Sequence, residues 1–255
     1  MTRCAQTPTA RWLPFRRERT GAKVQLWCFP HAGGSASIYL PWRPELGAAV
    51  DICSLEPPGR GTRAAEPLFL RMDPLVDALL DEVAPAMTPP FAFFGHSMGA
   101  TVAFELARRL EAIGAPTPVL LFASAARAPH IADPDASQNP PPDDAVLETV
   151  RTLGGAPAEV LDDPFMRDQL LPVWRADFGL HIAYVHRRGA PLSCPITAFG
   201  GTTDPRVPIH AVEAWRQHTR SRFRCRLLSG GHFFLRPHQR ELLDEIARDL
   251  APWLD

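Results

Sequence analysis

The sequence lacks the cysteine pattern of a disulfide framework or of a structural metal site. Its five cysteines are an odd number, and none of them stands in C-x-x-C spacing. Cys28 and Cys53 fall within apolar, strand-like runs, where a thiol behaves as a small buried hydrophobe. No H-E-x-x-H motif is present either. We therefore expect no disulfide, no metal and no cofactor, and a reducing cytoplasm as the location of the protein.

Long apolar runs and an excess of positive charge are also missing. No apolar stretch approaches the roughly 20 residues that cross a bilayer. The first 20 residues hold five arginines but no apolar core of a secretory signal. With 27 basic and 28 acidic residues, the net charge is −1, which offers no attraction for a polyanion. We expect neither a membrane span nor a nucleic-acid partner.

The sequence has ample apolar content for one large core, since 45% of its 255 residues are hydrophobic. Short apolar runs alternate with helix-prone segments, a pattern that predicts an α/β fold with a mostly parallel sheet and helices on both faces. The predicted strands are Val24–Phe29, Asp51–Leu55, Phe91–Phe94, Pro118–Ser124, Pro195–Gly200 and Arg222–Leu228. The predicted helices outside the middle of the chain cover about 73–86, with Asp73 as N-cap, 100–110 and 239–251. We expect a single domain over residues 1–255.

Residues 125–188 break this alternation. Helix signals recur at 143–153, 163–171 and 173–186. Pro172 lies between the last two segments and is expected to kink or break the helix there. No strand signal separates them. We interpret the segment as a helical lid inserted over the carboxyl edge of the sheet, where α/β active sites lie. The alternative is an ordinary pair of crossover helices.

The strongest motif is G-H-S-M-G at residues 95–99, a match to G-x-S-x-G. An apolar strand precedes it and a helix-prone segment follows, which is the context of a nucleophile elbow. The glycines allow a tight turn from which Ser97 can project. The motif predicts a nucleophilic serine; the alternative is a glycine-rich turn with an inert one.

A serine nucleophile needs a base and an acid that orients the base. Among the acids downstream, Asp204 directly follows a predicted strand, and His232 follows the next one. Both should reach the same sheet edge as Ser97, in the chain order Ser, Asp, His of this hydrolase architecture. The weaker competitors lie on predicted helices or flank them: Asp177, His181, His186, His210, His218 and His238. The other interpretation of Asp204 is a turn-forming role before Pro205.

The oxyanion of the tetrahedral intermediate requires two backbone N–H donors. One is expected from Met98, directly after the serine, and the other from Ala32 in the loop His31–Gly34. Phosphate binding is a poor alternative for that loop, because it lacks G-x-G-x-x-G and Walker spacing.

These motifs together resemble one family. F-P-H-A-G-G at 29–34, P-G-R-G at 58–61, G-H-S-M-G at 95–99, L-P-V-W-R-A-D at 171–177, G-T-T-D at 201–204 and G-G-H-F at 230–233 occur in this order. The chain resembles the stand-alone type II thioesterases of polyketide synthase and non-ribosomal peptide synthetase pathways, which have the α/β-hydrolase fold. Glu56-Pro57 before the P-G-R-G motif departs from the family pattern. It lies far from the triad in sequence.

The resemblance implies hydrolysis of stalled or aberrant acyl groups from the phosphopantetheine arm of acyl or peptidyl carrier proteins. It implies Ser97 as nucleophile, His232 as base, Asp204 as orienting acid, and Ala32 and Met98 as oxyanion donors. Lid residues would bound an apolar acyl chamber: Phe165, Leu170, Leu171, Trp174, Phe178 and Leu180. The alternative is that most of them pack the lid onto the core. The side chain of His31 has no assigned role. Arg187 and Arg188 could dock an acidic carrier protein.

Three other interpretations stay open at this point. A broad small-molecule carboxylesterase would use the same three residues. A non-catalytic binding protein usually lacks one of them, and all three are present here. A terminal thioesterase domain cut from a large synthase is the third; Met1 and the absence of a carrier-domain linker favour a stand-alone protein. We expect a monomer.

Overall fold

Six parallel strands form the centre of the molecule. The computed structural model describes residues 7–17 and 19–254. The strands are β1 (Val24–Phe29), β2 (Val50–Ser54), β3 (Phe91–His96), β4 (Leu121–Ser124), β5 (Ile196–Gly201) and β6 (Phe223–Leu228). Their spatial order is β2-β1-β3-β4-β5-β6, and every neighbouring pair is parallel. All carboxyl ends of the strands therefore meet at one edge of the sheet.

Helices cover both faces of this sheet and, between β4 and β5, its carboxyl edge. They are α1 (Pro8–Trp12), α2 (Trp42–Glu45), α3 (Met72–Glu82), α4 (Met98–Ala112), α5 (Asp143–Leu153), α6 (Ala158–Asp162), α7 (Pro164–Ile182), α8 (Ile209–Glu213) and α9 (Gln239–Leu250). None of the helices built from residues 7–17 and 19–254 has both the length and the apolar character that a bilayer span requires.

The core is split in two by the sheet because successive side chains of a strand point to opposite faces. Trp27 and Phe93 pack with α3 and α4 on one face, whereas Leu26 and Phe94 pack with α2 and α9 on the other. A third, smaller apolar cluster joins α5, α6 and α7 through Val146, Val150, Leu161 and Trp174. The expected α/β-hydrolase architecture, with helices on both faces of a parallel sheet, is confirmed.

Several predicted boundaries were wrong. The helix after β2 begins at Met72, with Arg71 rather than Asp73 at its N-cap, and the Asp73 carboxylate accepts hydrogen bonds from Arg109 and Arg187 instead. Pro118–Leu120 precede β4, although Val119 N–H already donates to the carbonyl oxygen of Phe91, at 2.8 Å. Proline at 118 cannot donate to a ladder, which explains the late start of the strand.

The helices between β4 and β5 also differ from the prediction. Residues 163–171 and 173–186 were expected as two helices, but Pro164–Ile182 is one continuous helix with Pro172 inside it. The proline removes a single backbone hydrogen bond, and buried Val173 and Trp174 in the next turn hold the helix in place. α6 was not foreseen. The limits 125–188 for one lid insertion stay a prediction.

The turn between β3 and α4 depends on two glycines that touch backbone. A Cβ on Gly95 would lie 2.2 Å from the carbonyl oxygen of Gly99, and a Cβ on Gly99 would lie 2.2 Å from that of Phe29. Nothing larger than a hydrogen atom fits at either position. These contacts press the start of α4 against the end of β1 and fix the direction in which the intervening residues project.

We expect Gly99→Ala to lower the free energy of unfolding by about 1–3 kcal/mol, because the added methyl group must push β1 and α4 apart. Thermal unfolding followed by circular dichroism measures this change. The matched control is Gly179→Ala in α7, where the nearest atom to an added Cβ is 3.7 Å away. There the better helix propensity of alanine should raise stability by up to about 1 kcal/mol. Equal melting temperatures of the two variants would contradict this packing argument.

Candidate active site

Ser97 stands at the tip of the β3–α4 turn, with φ 55° and ψ −122°. A positive φ is strained for a residue with a Cβ, and such strain persists only where surrounding contacts enforce it. The Ser97 N–H donates to the carbonyl oxygen of Ser124, at 2.7 Å, which ties the turn to the end of β4. This is the backbone geometry that the G-H-S-M-G motif predicts.

A hydrogen-bonded chain connects Ser97, His232 and Asp204. His232 Nε2 lies 2.9 Å from Ser97 Oγ, and His232 Nδ1 lies 2.8 Å from Asp204 Oδ2. Asp204 follows β5 and His232 follows β6, so the shared sheet edge brings both loops to the serine. With Nδ1–H donating to the carboxylate, Nε2 is left free to accept the serine proton. The structure thus brings together the three side chains that the sequence singled out.

The environment of Asp204 keeps its carboxylate charged. Burial favours the neutral acid, but the hydrogen bond and the charge of His232 outweigh it, together with the N–H groups of Arg206 and Val207. The pKa of Asp204 therefore lies below its ordinary value. A carboxyl with a depressed pKa contributes stability above its unfolded pKa and loses it as the pH falls through the folded value. This contribution is present throughout the neutral range.

The other nearby histidines are held neutral. Burial lowers the pKa of His31 to about 4 and lowers the pKa of His96 well below its usual range. Both rings lie in an aromatic cluster with Phe233, and the rings of His96 and His232 are 5.4 Å apart. His96 Nδ1 pairs with Ser124 Oγ at 2.9 Å, so His96 does not compete for the serine. Because His31 and His96 carry no positive charge, they do not oppose proton uptake by His232. His232 therefore remains the base available to Ser97.

The two expected oxyanion donors lie on either side of Ser97. Met98 is the first residue of α4, so its N–H has no partner within the helix. Ala32 lines the same cavity as Ser97 and His232. Neither N–H donates to another atom of residues 7–17 or 19–254. Their role as an oxyanion hole stays a prediction.

The cavity beside Ser97 measures only about 20 Å³, room for one water molecule or so. Val150 and Leu153 of α5 and Trp174 and Phe178 of α7 close it from above. α5 and α7 therefore lie over the carboxyl edge of the sheet at the serine. An acyl chain attached to Ser97 needs more room than this, which movement of Trp174, Phe178 or the helices that carry them would supply.

Most of the residues predicted to bound the acyl chamber do not line the cavity beside Ser97. Phe165 is 71% exposed and lines no part of the cavity beside Ser97. Leu180 belongs to the main core, and Leu170 and Leu171 pack within the small cluster of α5–α7. In the continuous helix α7, Phe165 and Leu180 lie on other sides than Trp174 and Phe178, but the break expected at Pro172 hid this relation for Phe165.

Two residues near the serine were missed as contributors to the site. Asp177 of α7, named above only as a weaker competitor for the orienting acid, is 4% exposed and accepts the Gly33 N–H at 2.7 Å. Arg60 binds both oxygens of this carboxylate and also donates to the Gly34 carbonyl oxygen, at 3.2 Å. Both residues belong to motifs already visible in the sequence, Asp177 to R-A-D and Arg60 to P-G-R-G.

Glu56 is a third residue whose setting the sequence did not reveal. It is 1% exposed, and its carboxylate accepts the Ala36 N–H at 2.6 Å and the Thr62 N–H at 3.3 Å. A Cβ on Gly61 would collide with Glu56 Oε1. The carboxylate thus holds the loops after β1 and β2 together, so the departure from the family motif has a structural role.

The described part of the chain contains no group of three His, Cys, Asp or Glu side chains arranged to hold a metal ion. The residues at Ser97 can activate a hydroxyl nucleophile, carry its proton and stabilise an imidazolium ion. This arrangement is suited to acyl transfer from an ester or a thioester.

Asp204→Asn should lower kcat for ester hydrolysis by roughly 10³–10⁴-fold while the protein remains folded, since an amide neither fixes the tautomer of His232 nor stabilises its cation. Ser97→Ala, which lacks the nucleophile, should lower it by roughly 10⁶-fold. Initial rates on p-nitrophenyl acetate, with circular dichroism as a check on folding, measure both effects. If kcat of the Asp204→Asn variant were unchanged, a group other than Asp204 would have to orient His232.

Comparison with known proteins agrees with this geometry. Residues 24–254 match the model of the thioesterase domain family. Linear gramicidin dehydrogenase LgrE of Brevibacillus parabrevis is 39% identical over 96% of this chain and 94% of its own. Thioesterase PikA5 of Streptomyces venezuelae is 38% identical over 94% of this chain and 85% of its own.

A solved structure extends the similarity to the fold. The type II thioesterase BorB from the borrelidin biosynthetic cluster superposes with a TM-score of 0.81 at 36% identity. The match covers 92% of this chain and 96% of BorB. The family model spans nearly all of the α/β core, including the turns that carry Ser97, Asp204 and His232. The chain belongs to the thioesterase domain family.

Proposed function

We propose that this protein is a serine thioesterase that hydrolyses acyl groups from the phosphopantetheine arm of acyl or peptidyl carrier proteins. Removal of stalled or aberrant acyl units would let a polyketide synthase or non-ribosomal peptide synthetase resume. The observation that carries the proposal is the Ser97–His232–Asp204 hydrogen-bonded chain within a thioesterase-family fold. The proposal includes a monomer in the cytoplasm that needs no cofactor or metal.

The reaction follows from the positions of the three side chains. Ser97 Oγ attacks the thioester carbonyl carbon as its proton passes to His232 Nε2, and the carbonyl electrons move onto oxygen. The N–H groups of Ala32 and Met98 stabilise this oxyanion. When it collapses, the C–S bond breaks and the pantetheine sulfur takes the proton from His232. Water then attacks the acyl-serine with His232 as base, which releases the acid and restores Ser97.

Each transfer of a proton to His232 creates an imidazolium, and Asp204 Oδ2 lies 2.8 Å from His232 Nδ1 to balance its charge. Because Asp204 stays ionised at neutral pH, the stabilisation is available whenever the proton moves. A carboxylate that already accepts two backbone N–H bonds cannot swing away from the ring. The geometry therefore supports general base catalysis by His232 in both halves of the reaction.

Arg187 is half of the proposed docking site for an acidic carrier protein. Its side chain is 78% exposed and forms an ion pair with Asp73 at 3.1 Å. Such an exposed pair contributes little to stability and exchanges partners readily. Arg187 and Arg188 remain the docking residues of this proposal, with Asp73 as a competing partner of Arg187.

The proposal is tested by measuring hydrolysis of acetyl-, propionyl- and octanoyl-loaded carrier protein beside p-nitrophenyl esters of the same acids. We expect higher kcat/KM on the carrier-bound thioesters, because contacts with the arm and the carrier add binding energy at the transition state. Ser97→Ala is the control for background hydrolysis. Fast ester cleavage with negligible action on carrier thioesters would make the protein a broad small-molecule carboxylesterase.

Phe178→Ala should raise the ratio of octanoyl to acetyl turnover roughly tenfold, because the ring narrows the cavity at Ser97 and one methylene of fit is worth about 1–3 kcal/mol. The ratio of kcat/KM on the two carrier-bound substrates measures this change. Phe165→Ala is the matched control, since Phe165 lies on the same helix but is 71% exposed. A ratio that changes equally in both variants would exclude Phe178 as a wall of the acyl site.

A further inference from the structure

The Asp177–Arg60 ion pair is unusual because both side chains are buried, with 4% and 8% of their surface exposed. Burying two charges removes them from water, and such a pair is often no more stabilising than two apolar side chains of the same size. Folding stability therefore does not account for its presence. Its other contacts show what the pair does.

Arg60 Nε donates to the Pro58 carbonyl oxygen at 3.3 Å, and the other contacts of the pair lie in the loop that carries Ala32. Asp177 Oδ2 accepts the Gly33 N–H at 2.7 Å, and Arg60 donates to the Gly34 carbonyl oxygen at 3.2 Å. His31 Nδ1 lies 2.9 Å from the Ala32 carbonyl oxygen. Ala32 C=O and Gly33 N–H belong to one planar peptide unit, so two contacts fix its orientation. The Ala32 N–H belongs to the preceding peptide unit, whose His31 carbonyl oxygen accepts the Gly34 N–H at 2.8 Å, so the loop is bound on both sides of the Ala32 Cα.

The same helix that carries Asp177 also closes the site. Trp174 lies one turn earlier in α7, and a Cβ on Gly33 would meet its ring at 2.2 Å. Trp174 and Phe178 leave only about 20 Å³ beside Ser97. A movement of α7 would enlarge this space for an acyl chain, and it would also withdraw the Asp177 carboxylate from Gly33.

We propose that Asp177 is a positioning residue: paired with Arg60, it holds the Ala32 amide in the oxyanion hole and couples the docking of α7 to transition-state stabilisation. The inference rests on the proposed function for the role of Ala32 as donor. Substrate enters when α7 is displaced, and the hole is complete only when α7 has returned over the bound acyl group. Binding of the acyl chain and stabilisation of its oxyanion thereby depend on the same helix.

Arg60 is needed for an electrostatic reason as well. A lone carboxylate beside the developing oxyanion would repel it, and the repulsion would be strong in a buried setting. Arg60 Nη2 donates to Asp177 Oδ1 at 2.9 Å, while Nη1 donates to Oδ2. This bidentate pairing balances the charge of Asp177 and leaves its Oδ2 oriented toward Gly33.

The test separates positioning from folding by removing both charges at once. The double variant Arg60→Met/Asp177→Leu leaves no buried charge unpaired, so its melting temperature should stay within a few degrees of the parent. It also leaves the Gly33 N–H without its acceptor. The second double variant, Arg60→Met/Asp177→Asn, keeps an oxygen that can accept from Gly33. Arg175→Gln is the matched control on α7, since Arg175 is half exposed and pairs with exposed Asp143.

Each variant is assayed with p-nitrophenyl octanoate and with the trifluoromethyl ketone of the same chain length. Ser97 Oγ adds to the ketone carbon, its proton passes to His232, and the alkoxide formed occupies the oxyanion hole. For Arg60→Met/Asp177→Leu we expect kcat to fall roughly 10²-fold with KM nearly constant, as a displaced catalytic group causes. The inhibition constant of the ketone should rise by the same factor. Arg60→Met/Asp177→Asn should recover part of both losses, and Arg175→Gln should match the parent.

A folded Arg60→Met/Asp177→Leu variant with parental kcat and ketone affinity would overturn the proposal, as would a rise in KM alone. If that variant does not fold, the Arg60→Lys variant tests the proposal instead. Lysine keeps the positive charge but cannot form the bidentate contact with Asp177. Parallel losses of kcat and ketone affinity in Arg60→Lys support the proposal, and unchanged values refute it. The assays use simple esters, so their outcome is independent of whether carrier-bound thioesters are the preferred substrates.

Discussion

Close backbone packing at the β3–α4 turn is the constraint on which the rest of the structure depends. Ser97 adopts a strained φ, and it keeps that conformation because its N–H is bound to Ser124 and because Gly95 and Gly99 let three backbone segments touch. A side chain at either glycine would separate α4 from β1. The separation would move the serine away from His232, whose loop is anchored independently on β6. The hydroxyl can meet its base only while this packing is intact.

Charge in this site is arranged so that only one base near Ser97 is available. Burial keeps His31 and His96 neutral, and the ion pair of Arg60 with Asp177 is internally balanced. Asp204 is the charged group in direct contact with His232. Its negative charge favours proton uptake by that ring when the serine attacks. The local pKa values thus follow from where each side chain is buried.

Much of this was predictable because short motifs encode backbone geometry. G-H-S-M-G requires a tight turn, and the loops after β5 and β6 must end at the same edge, so the sequence alone located Ser97, Asp204 and His232. Contacts between distant segments were not predictable in the same way. The pairing of Arg60 with Asp177 joins residues 117 positions apart, and nothing in local periodicity reveals it. Phe165 and Phe178 looked equivalent for another reason: a break was expected at Pro172, and only the continuous helix shows that one side chain faces solvent and the other lines the cavity beside the serine.

The closed cavity gives the coupling of α7 to the loop of Ala32 a physical consequence. An enzyme whose oxyanion hole were complete while its site stood open would hydrolyse any ester that diffused to the serine. Here the space at Ser97 admits little more than water, and the helix whose movement would admit an acyl chain also carries the acceptor for Gly33. Under the proposed coupling, only an acyl group that allows α7 to return receives full transition-state stabilisation. Selectivity for the acyl group then arises from closure, because its fit beneath Trp174 and Phe178 determines whether the catalytic geometry is complete.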